Sequence, residues 1–276
     1  MLTNIRVLIA ACQDLNIDFE FLHPARNFVK VIIKHKPYFF VNYATPFNTQ
    51  SNARIFLDKG HNYHLLKDKI NTPKTVSFLS PFCEPNYREY LDYRDIDAIV
   101  AEINKRFAMP VIIKSNQGYT GKNVFFCQDR GEVELSIKQI FNVNSKDYDY
   151  VALAQEYINI SHEYRAIIFN GELLLLYEKN KANANFVGNL SPLHWEGAKA
   201  VHITERQLMS EMEEFIKPIF TEIPLIYAGA DIAIDANGKF WLIELNSSPN
   251  YSIFIRDNEE RIVIEMFKKM LKTFSQ

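Results

Sequence analysis

The chain has 276 residues, 47% apolar and 23% charged, with 31 Lys and Arg against 33 Asp and Glu and a formal net charge of −2. This excludes a disordered or low-complexity chain and a broad nucleic-acid-binding surface, and with no apolar run of 18 residues it excludes a spanning helix and gives no sign of a membrane partner. Three cysteines, Cys12, Cys83 and Cys127, are odd in number and lack metal-ligand spacing, and MLTNIRVLIAACQDLNIDFE lacks a signal-peptide pattern, which together predict a cytoplasmic protein.

Apolar residues at helical spacing predict a first helix from Leu2 to about Leu15. Short strands follow at Asp18–Leu22, Phe28–Ile33 and Tyr38–Asn42, the last two flanking a KHKP turn, and Thr45–Asn52 reads as a polar linker. A helix is expected over Gly60–Ile70, a strand over 74–79, a loop over 80–94 and a helix capped near Asp95 and running to Phe107. Strands at Val111–Lys114 and Asn123–Cys127 enclose the loop SNQGYTGK, and Glu132–Phe141 is helical. Strands at 151–158, 163–169 and 172–179 come next, the last two joined by the tight turn Asn170-Gly171. Residues 180–200 read as loop. Thr204 and Gln207 have capping-box spacing before a helix to about Phe220. Strands at 225–235 and 239–246 flank Asn237-Gly238, and an amphipathic helix covers about Asn258–Phe274. Hairpins dominate this order, which predicts α+β architecture rather than a doubly wound parallel sheet.

The last hairpin carries the sharpest chemical signal. With Asn237-Gly238 as a two-residue turn, paired residue numbers sum to 475, so Asp231 lies opposite Glu244. Opposed side chains have Cβ atoms about 5 Å apart, and two like charges there are destabilising unless a proton or a cation intervenes. Asn246 shares the face of Glu244 and adds an amide oxygen. Two carboxylates and an amide are hard donors suited to Mg²⁺, and the apolar flanking runs argue against an exposed acidic face. The second signal is VIIKSNQGYTGKNVFF. Gly118 and Gly121, with Ser115, Asn116 and Thr120 nearby, allow backbone N–H groups to approach phosphate, and Lys114 and Lys122 flank the loop. No helix follows, so it is not a Walker A loop; a plain flexible hairpin is the competing reading. The third signal is Gln155-Glu156-Tyr157-Ile158 followed by Glu163 and Arg165. A strand end can read adenine through its backbone, a carboxylate can hold ribose, and a guanidinium can grip phosphate; the same alternation also describes a solvated strand face.

Together these segments, in this order over roughly residues 53–272, resemble the ATP-grasp superfamily, and within it the carboxylate–amine ligases of the ribosomal-protein glutamate ligase, glutathione synthetase and cyanophycin synthetase type. The resemblance implies an ATP-grasp fold of two α+β subdomains clamping ATP. A short α/β N-terminal (pre-ATP) segment would occupy residues 1–52 and the ATP-grasp domain 53–276, with a lid subdomain at about 110–160 and a metal-binding subdomain at about 161–276. LDKGHNYHLLKDKINTPKT is similar to the family's opening helix and puts Lys59 on the nucleotide phosphates. PVIIKSNQGYTGKNV implies Lys114 as a phosphate or adenine contact and residues 115–122, Tyr119 and Thr120 among them, as a lid over the triphosphate. QEYI implies a base pocket of Gln155, Glu156, Tyr157 and Ile158, with Glu163 on the ribose and Arg165 on the γ-phosphate and acyl phosphate. FVGNL implies Asn189 near the reacting carboxylate, with Lys179 and Lys181 beside it, and His194 falls in the substrate loop. GADIAIDANGKFWLIELNSSPNY is similar to the metal hairpin, with Asp231, Glu244 and Asn246 as ligands. Asn250 stands where many relatives have glycine, so specificity does not transfer. The first segment is also shorter than in most relatives, which implies a more open substrate site or one completed by another subunit.

The resemblance implies ATP-dependent amide or peptide bond formation through an acyl phosphate, releasing ADP and phosphate, with two Mg²⁺ that Mn²⁺ can replace. The substrates implied are small-molecule or peptide carboxylates and amines. A phosphotransferase on the same scaffold and a non-enzymatic nucleotide-binding module are the alternatives. A homodimer is compatible with the sequence, though no feature points to it.

Overall fold

The structure is a computed structural model and describes residues 1–118, 121–188, 190–223 and 227–275. Helix α1 (Thr3–Asp14) leads into strands β1 (Asp18–Phe21), β2 (Phe28–Ile33) and β3 (Lys36–Val41), an antiparallel sheet in the order β1-β2-β3. Lys34 and His35, both at positive φ, form the two-residue turn between β2 and β3. Pro37 lies inside β3 rather than in the turn, at a sheet edge where a missing N–H is tolerated. Residues 45–52 are only partly a linker: Thr49 caps α2 (Gln50–Leu57) by accepting from the Asn52 N–H. Asp58 then caps α3 (Lys59–Leu66), which ends earlier than expected because the chain must bring the Asn71 carbonyl to the Leu242 N–H, 2.8 Å away.

The second sheet has the order β4-β7-β5-β6, built from β4 (Thr75–Leu79), β5 (Val111–Ser115), β6 (Val124–Cys127) and β7 (Val151–Glu156), all antiparallel. Helices α4 (Ile96–Arg106) and α5 (Arg130–Ile140), capped by Asp95 and Asp129, cover one face of it. Val111, Ile113, Ala152, Ala154 and Phe78 bury there against Ile99, Ile103, Val133 and Ile137. The other face carries Ile112, Lys114, Val124, Phe126 and Gln155 and walls a cavity.

The third sheet, also antiparallel, has the order β10-β9-β8-β11-β12 and comprises β8 (Ile160–Phe169), β9 (Glu172–Asn180), β10 (Lys199–His202), β11 (Tyr227–Asp235) and β12 (Phe240–Asn246). One face packs on α6 (Arg206–Glu222), α2 and α3 through Ala166, Ile168, Leu176, Ala230 and Ile232. The opposite face changes character along its strands: Ile167, Phe169, Leu175 and Tyr227 bury under α1 and α8 (Glu260–Lys272), and beyond them come Arg165, Glu163, Lys179 and Asp231. The mixed, hairpin-dominated antiparallel architecture expected from the sequence is the one observed.

Three further differences from expectation lie toward the C-terminus. The Thr204–Gln207 capping box is not formed: α6 starts at Arg206 after Glu205, with no side-chain cap, because the Ile203 N–H still bonds the Leu176 carbonyl and prolongs the sheet. The unpredicted β10 (Lys199–His202) begins at the end of the segment read as loop and runs past it. The C-terminal helix is preceded by α7 (Ser252–Asp257), and the chain breaks at Asn258, whose amide donates to the Ala200 and Phe254 carbonyls. Among the described residues, no helix is long and apolar enough to cross a membrane.

Candidate active site

A cavity of about 1020 Å³ lies between the polar face of the β4-β7-β5-β6 sheet and the charged half of the five-stranded sheet. Its rim includes residues 41–44, 190–195 and 247–250. The cavity brings together the described residues predicted from the sequence: Lys59, Lys114, Ser115, Gly118, Gly121, Gln155, Glu156, Tyr157, Ile158, Glu163, Arg165, Lys179, Lys181, His194, Asp231, Glu244, Asn246 and Asn250 all line it. Tyr119, Thr120 and Asn189 lie outside the described residues.

The acidic pair is where the hairpin arithmetic put it, but for a different reason. The turn has three residues, with Gly238 at φ +79°, and near it paired numbers sum to 474: Ile234 with Phe240, Ala233 with Trp241, Ile232 with Leu242. Ile243 is then an extra residue on β12, a β-bulge that restores the sum to 475, so Asp231 opposes Glu244 and Gly229 opposes Asn246. The one-residue error at the turn and the unforeseen bulge cancel.

Asp231 is buried and paired twice. Arg165 grips it through Nε and through Nη2 to Oδ2 at 3.0 Å, and the Lys179 Nζ is 3.0 Å from Oδ2 while also bonding Glu163. Burial alone would push the Asp231 carboxyl up, but the Arg165 and Lys179 charges overcome it and hold it at about 2. Burial works against the Lys179 ammonium, and Asp231 and Glu163 reverse that and raise it. Gly229 makes room for the guanidinium: a Cβ there would stand 3.0 Å from the Arg165 Cδ and 3.1 Å from its Nη1.

Glu244 is freer. Asn246 donates its amide N–H to the Glu244 Oε1 at 3.0 Å, and the Lys59 Nζ stands 3.9 Å from Oε2. Lys59 also donates to the Gly118 carbonyl at 3.0 Å and the Asn116 carbonyl at 3.4 Å, tying the glycine loop to the start of α3. Asn116 completes that tie, donating to Asp58 at 2.7 Å and accepting from the Gly60 N–H at 2.9 Å. A Cβ on Gly118 would come within 2.6 Å of the Ser115 hydroxyl and 3.3 Å of the Lys122 carbonyl, so the loop packs this closely only with glycine there. Lys114 is buried with its Nζ 2.9 Å from the Gln155 Oε1. Burial lowers its ammonium to about 8, with Glu244 opposing the shift and Lys59 adding to it.

The inner end of the cavity thus holds four cations, Lys59, Lys114, Arg165 and Lys179, against three carboxylates, Glu163, Asp231 and Glu244. That surplus suits a polyanion. The hard donor set of Asp231, Glu244 and Asn246 fits a divalent cation accompanied by phosphate oxygens. Among the described residues there is no cluster of three or more His, Cys, Asp or Glu side chains that would hold an ion unaided. At the outer end Lys181 lies over the Trp195 ring, 5.9 Å from its centroid, and Phe186 meets the same ring edge-on. Glu156 turns its carboxylate back to the Lys74 N–H at 2.6 Å, which leaves Tyr157 and Ile158 as the apolar lining beyond Gln155.

Sequence reasoning missed Asp58, which accepts from Asn116, and it missed Tyr177 and residues 41–44 of the first segment, which border the cavity. The Asp-Lys pair at 58–59 was a visible signal for Asp58 as a helix cap; nothing local marked the others.

Residues 64–273 match a family model described as a RimK-like ATP-grasp domain. An uncharacterized protein of Mycoplasma genitalium is 27% identical over 179 residues, 63% of this chain and 55% of that protein. Its homolog in Mycoplasma pneumoniae is 24% identical over 201 residues, 71% of this chain and 64% of that protein. The chain therefore spans between about half and two thirds of the length of these curated relatives. A bifunctional glutathione synthetase from Pasteurella multocida aligns with a TM-score of 0.60 at 14% identity, over 99% of this chain and 43% of that one. A D-alanine–D-alanine ligase from Bacillus anthracis aligns with a TM-score of 0.54 at 16% identity, over 80% of this chain and 70% of that one. At these identities the likeness is one of fold.

Proposed function

The chain belongs to the RimK-like ATP-grasp family, and on that premise we propose that it is an ATP-dependent carboxylate–amine ligase acting on an amino acid or a peptide. The observation that carries this reading is the convergence of Lys59, Lys114, Arg165 and Lys179 with Asp231, Glu244 and Asn246 on one cavity between two sheets.

In this reading a substrate carboxylate oxygen attacks the γ-phosphorus of ATP, and the bond to the β–γ bridging oxygen breaks to release ADP. An amine nitrogen then attacks the acyl carbon, phosphate leaves, and the nitrogen loses a proton as the amide forms. Lys59, at the start of α3, and Lys114, on β5, bind the phosphates. Arg165, held in place by Asp231, presents its remaining N–H groups to charge developing on the transferred phosphoryl group. Mg²⁺, held by Asp231, Glu244 and Asn246, supplies charge neutralisation on the phosphate oxygens when bound. Ser115, Gly118, Gly121 and Lys122, which line the cavity, help to exclude water from an acyl phosphate that would otherwise hydrolyse. The volume of about 1020 Å³ is at the upper end of the roughly 300–1000 Å³ usual for ligand pockets, leaving room for a second substrate beside a nucleotide.

The test is mass spectrometry of a reaction holding ATP, Mg²⁺ and pooled amino acids, dipeptides and carboxylic metabolites, with phosphate release followed in parallel. A condensed product that disappears in Glu244→Gln is expected. The absence of both condensation and phosphate release across that pool would overturn the reading for amino acids and short peptides.

A further inference from the structure

We propose that Thr75, acting through Gln155, is a positioning residue that fixes the Lys114 ammonium on the wall of the cavity. Thr75 is on β4, Gln155 on β7 and Lys114 on β5, and the strand order β4-β7-β5 places the glutamine between the other two. Thr75 pairs directly with Gln155, and Gln155 pairs with Ile112, two residues from Lys114 on the same face. All three side chains are buried, at 6%, 8% and 4% exposure, and so depend on one another for hydrogen bonds.

The direction of the chain is set by one proton. The Thr75 hydroxyl donates to the Pro73 carbonyl at 2.9 Å. A hydroxyl has one hydrogen, so toward Gln155 it can only accept. It accepts from the Gln155 Nε2 at 2.9 Å, which leaves Oε1 facing the Lys114 Nζ, also at 2.9 Å. The opposite amide orientation would set an N–H₂ group against an ammonium and leave two donors buried without acceptors. Replacing the hydroxyl by a methyl group removes the feature that selects between the two orientations. Thr75 itself does not line the large cavity; its hydroxyl reaches that cavity's wall through the Pro73 carbonyl and through Gln155, and of these two links the one through Gln155 leads to Lys114.

The consequence for nucleotide binding rests on the proposed function; the consequence for Lys114 does not. The experiment compares wild type, Thr75→Val, which keeps the shape, and Thr75→Ser, which keeps the hydroxyl. The Lys114 titration is followed by NMR of ¹³C-labelled lysine, its signal assigned by loss in Lys114→Met, and Mg·ADP affinity is measured by calorimetry. In Thr75→Val the Lys114 titration moves down by about half a pH unit or more, because the acceptor that favours the charged form is no longer fixed. Mg·ADP binding weakens about 5–10-fold, a partial loss of one charge-assisted hydrogen bond. Thr75→Ser restores both to near wild type. An unchanged Lys114 titration in Thr75→Val, or a change that serine fails to rescue, overturns the proposal, since a role in folding alone lowers stability without moving either readout in the folded protein. Wild type that binds no Mg·ADP would count against the proposed function while the titration still decides the role of Thr75. Should Thr75→Val not fold, Gln155→Met breaks the same link one strand nearer, and the same downward shift is expected of it.

Discussion

A buried ammonium keeps its charge only through the groups that face it. Lys114 illustrates the balance: burial lowers it to about 8 from 10.5, Glu244 and Asp231 pull it back, and Lys59 pushes it further down. Because the folded-state value lies below the unfolded one, the unfolded chain binds more protons between about pH 8 and 10.5. This group therefore adds stability as pH rises through that window, and the cost of charging it is borne in full below pH 8. A bound polyphosphate reverses the balance by favouring the charged form. Nucleotide binding is thus expected to take up a proton at alkaline pH. Calorimetry of Mg·ADP binding in buffers of different ionisation enthalpy measures this directly, with Lys114→Met subtracting protons that belong to the nucleotide. The difference between the two proteins should be near zero at pH 6.5 and about half a proton or more at pH 8.5. Equal uptake at both pH values would mean that Lys114 does not meet the phosphates.

The β11–β12 hairpin shows, at the scale of an element, why a correct pairing can follow from an incorrect turn. Asn237-Gly238 signals a turn but does not count its residues, and a bulge has no signature in an apolar run such as FWLIELN. The bulge matters because it sets the consecutive residues Ile243 and Glu244 both against the cavity, where regular alternation would hide one of them. Deleting Ile243 regularises the ladder at a sum of 474 and leaves the present Glu244 opposite Asp231. The expected outcome is Mn²⁺ binding close to wild type by electron paramagnetic resonance, with Mg·ADP affinity reduced several-fold by loss of an apolar wall. Loss of Mn²⁺ binding in a folded deletion variant would mean that the bulge itself sets the metal geometry. Elsewhere, legibility follows the range of the interactions. Helices α1, α4, α5 and α8 were readable from their own spacing and from Asp or Asn near their ends. Helices α2 and α7 and strand β10 are short, and what holds them is contact with other elements: Phe56 of α2 buries against the five-stranded sheet, Arg256 of α7 donates to the Ala198 carbonyl, and β10 pairs with β9. The site residues followed the same rule: those in motifs were found, Asn116 among them, whereas the role of Thr75 and the placement of Tyr177 depend on strand order.

The whole molecule is organised around the face of the five-stranded sheet that changes from apolar to charged, and the first segment is what seals the apolar half. Ile5, Leu8, Cys12, Val29, Val31 and Phe40 share one core with Ile167, Tyr227, Phe254, Phe267 and Met270. Two asparagines fasten that segment to the site. Asn48 accepts from the Tyr227 N–H at 2.8 Å and donates to its carbonyl at 2.6 Å, standing in for a neighbouring strand at the start of β11. Asn4, itself buried, donates to the Pro249 carbonyl at 2.8 Å and accepts from the Tyr251 N–H at 3.3 Å, holding the loop that follows Asn246. Residues 1–47 are therefore an integral part of the fold and not a detachable leader. Removing them strips the cover from side chains that each contribute roughly 1.5–3 kcal/mol when buried, against a total stability of about 5–15 kcal/mol for a typical domain. A chain beginning at residue 48 is expected to lose cooperative urea unfolding and the dispersed methyl resonances of the core, and to bind no Mg·ADP. A truncated chain that unfolds cooperatively and still binds nucleotide would show instead that the sheet closes its apolar half without α1 and the first three strands.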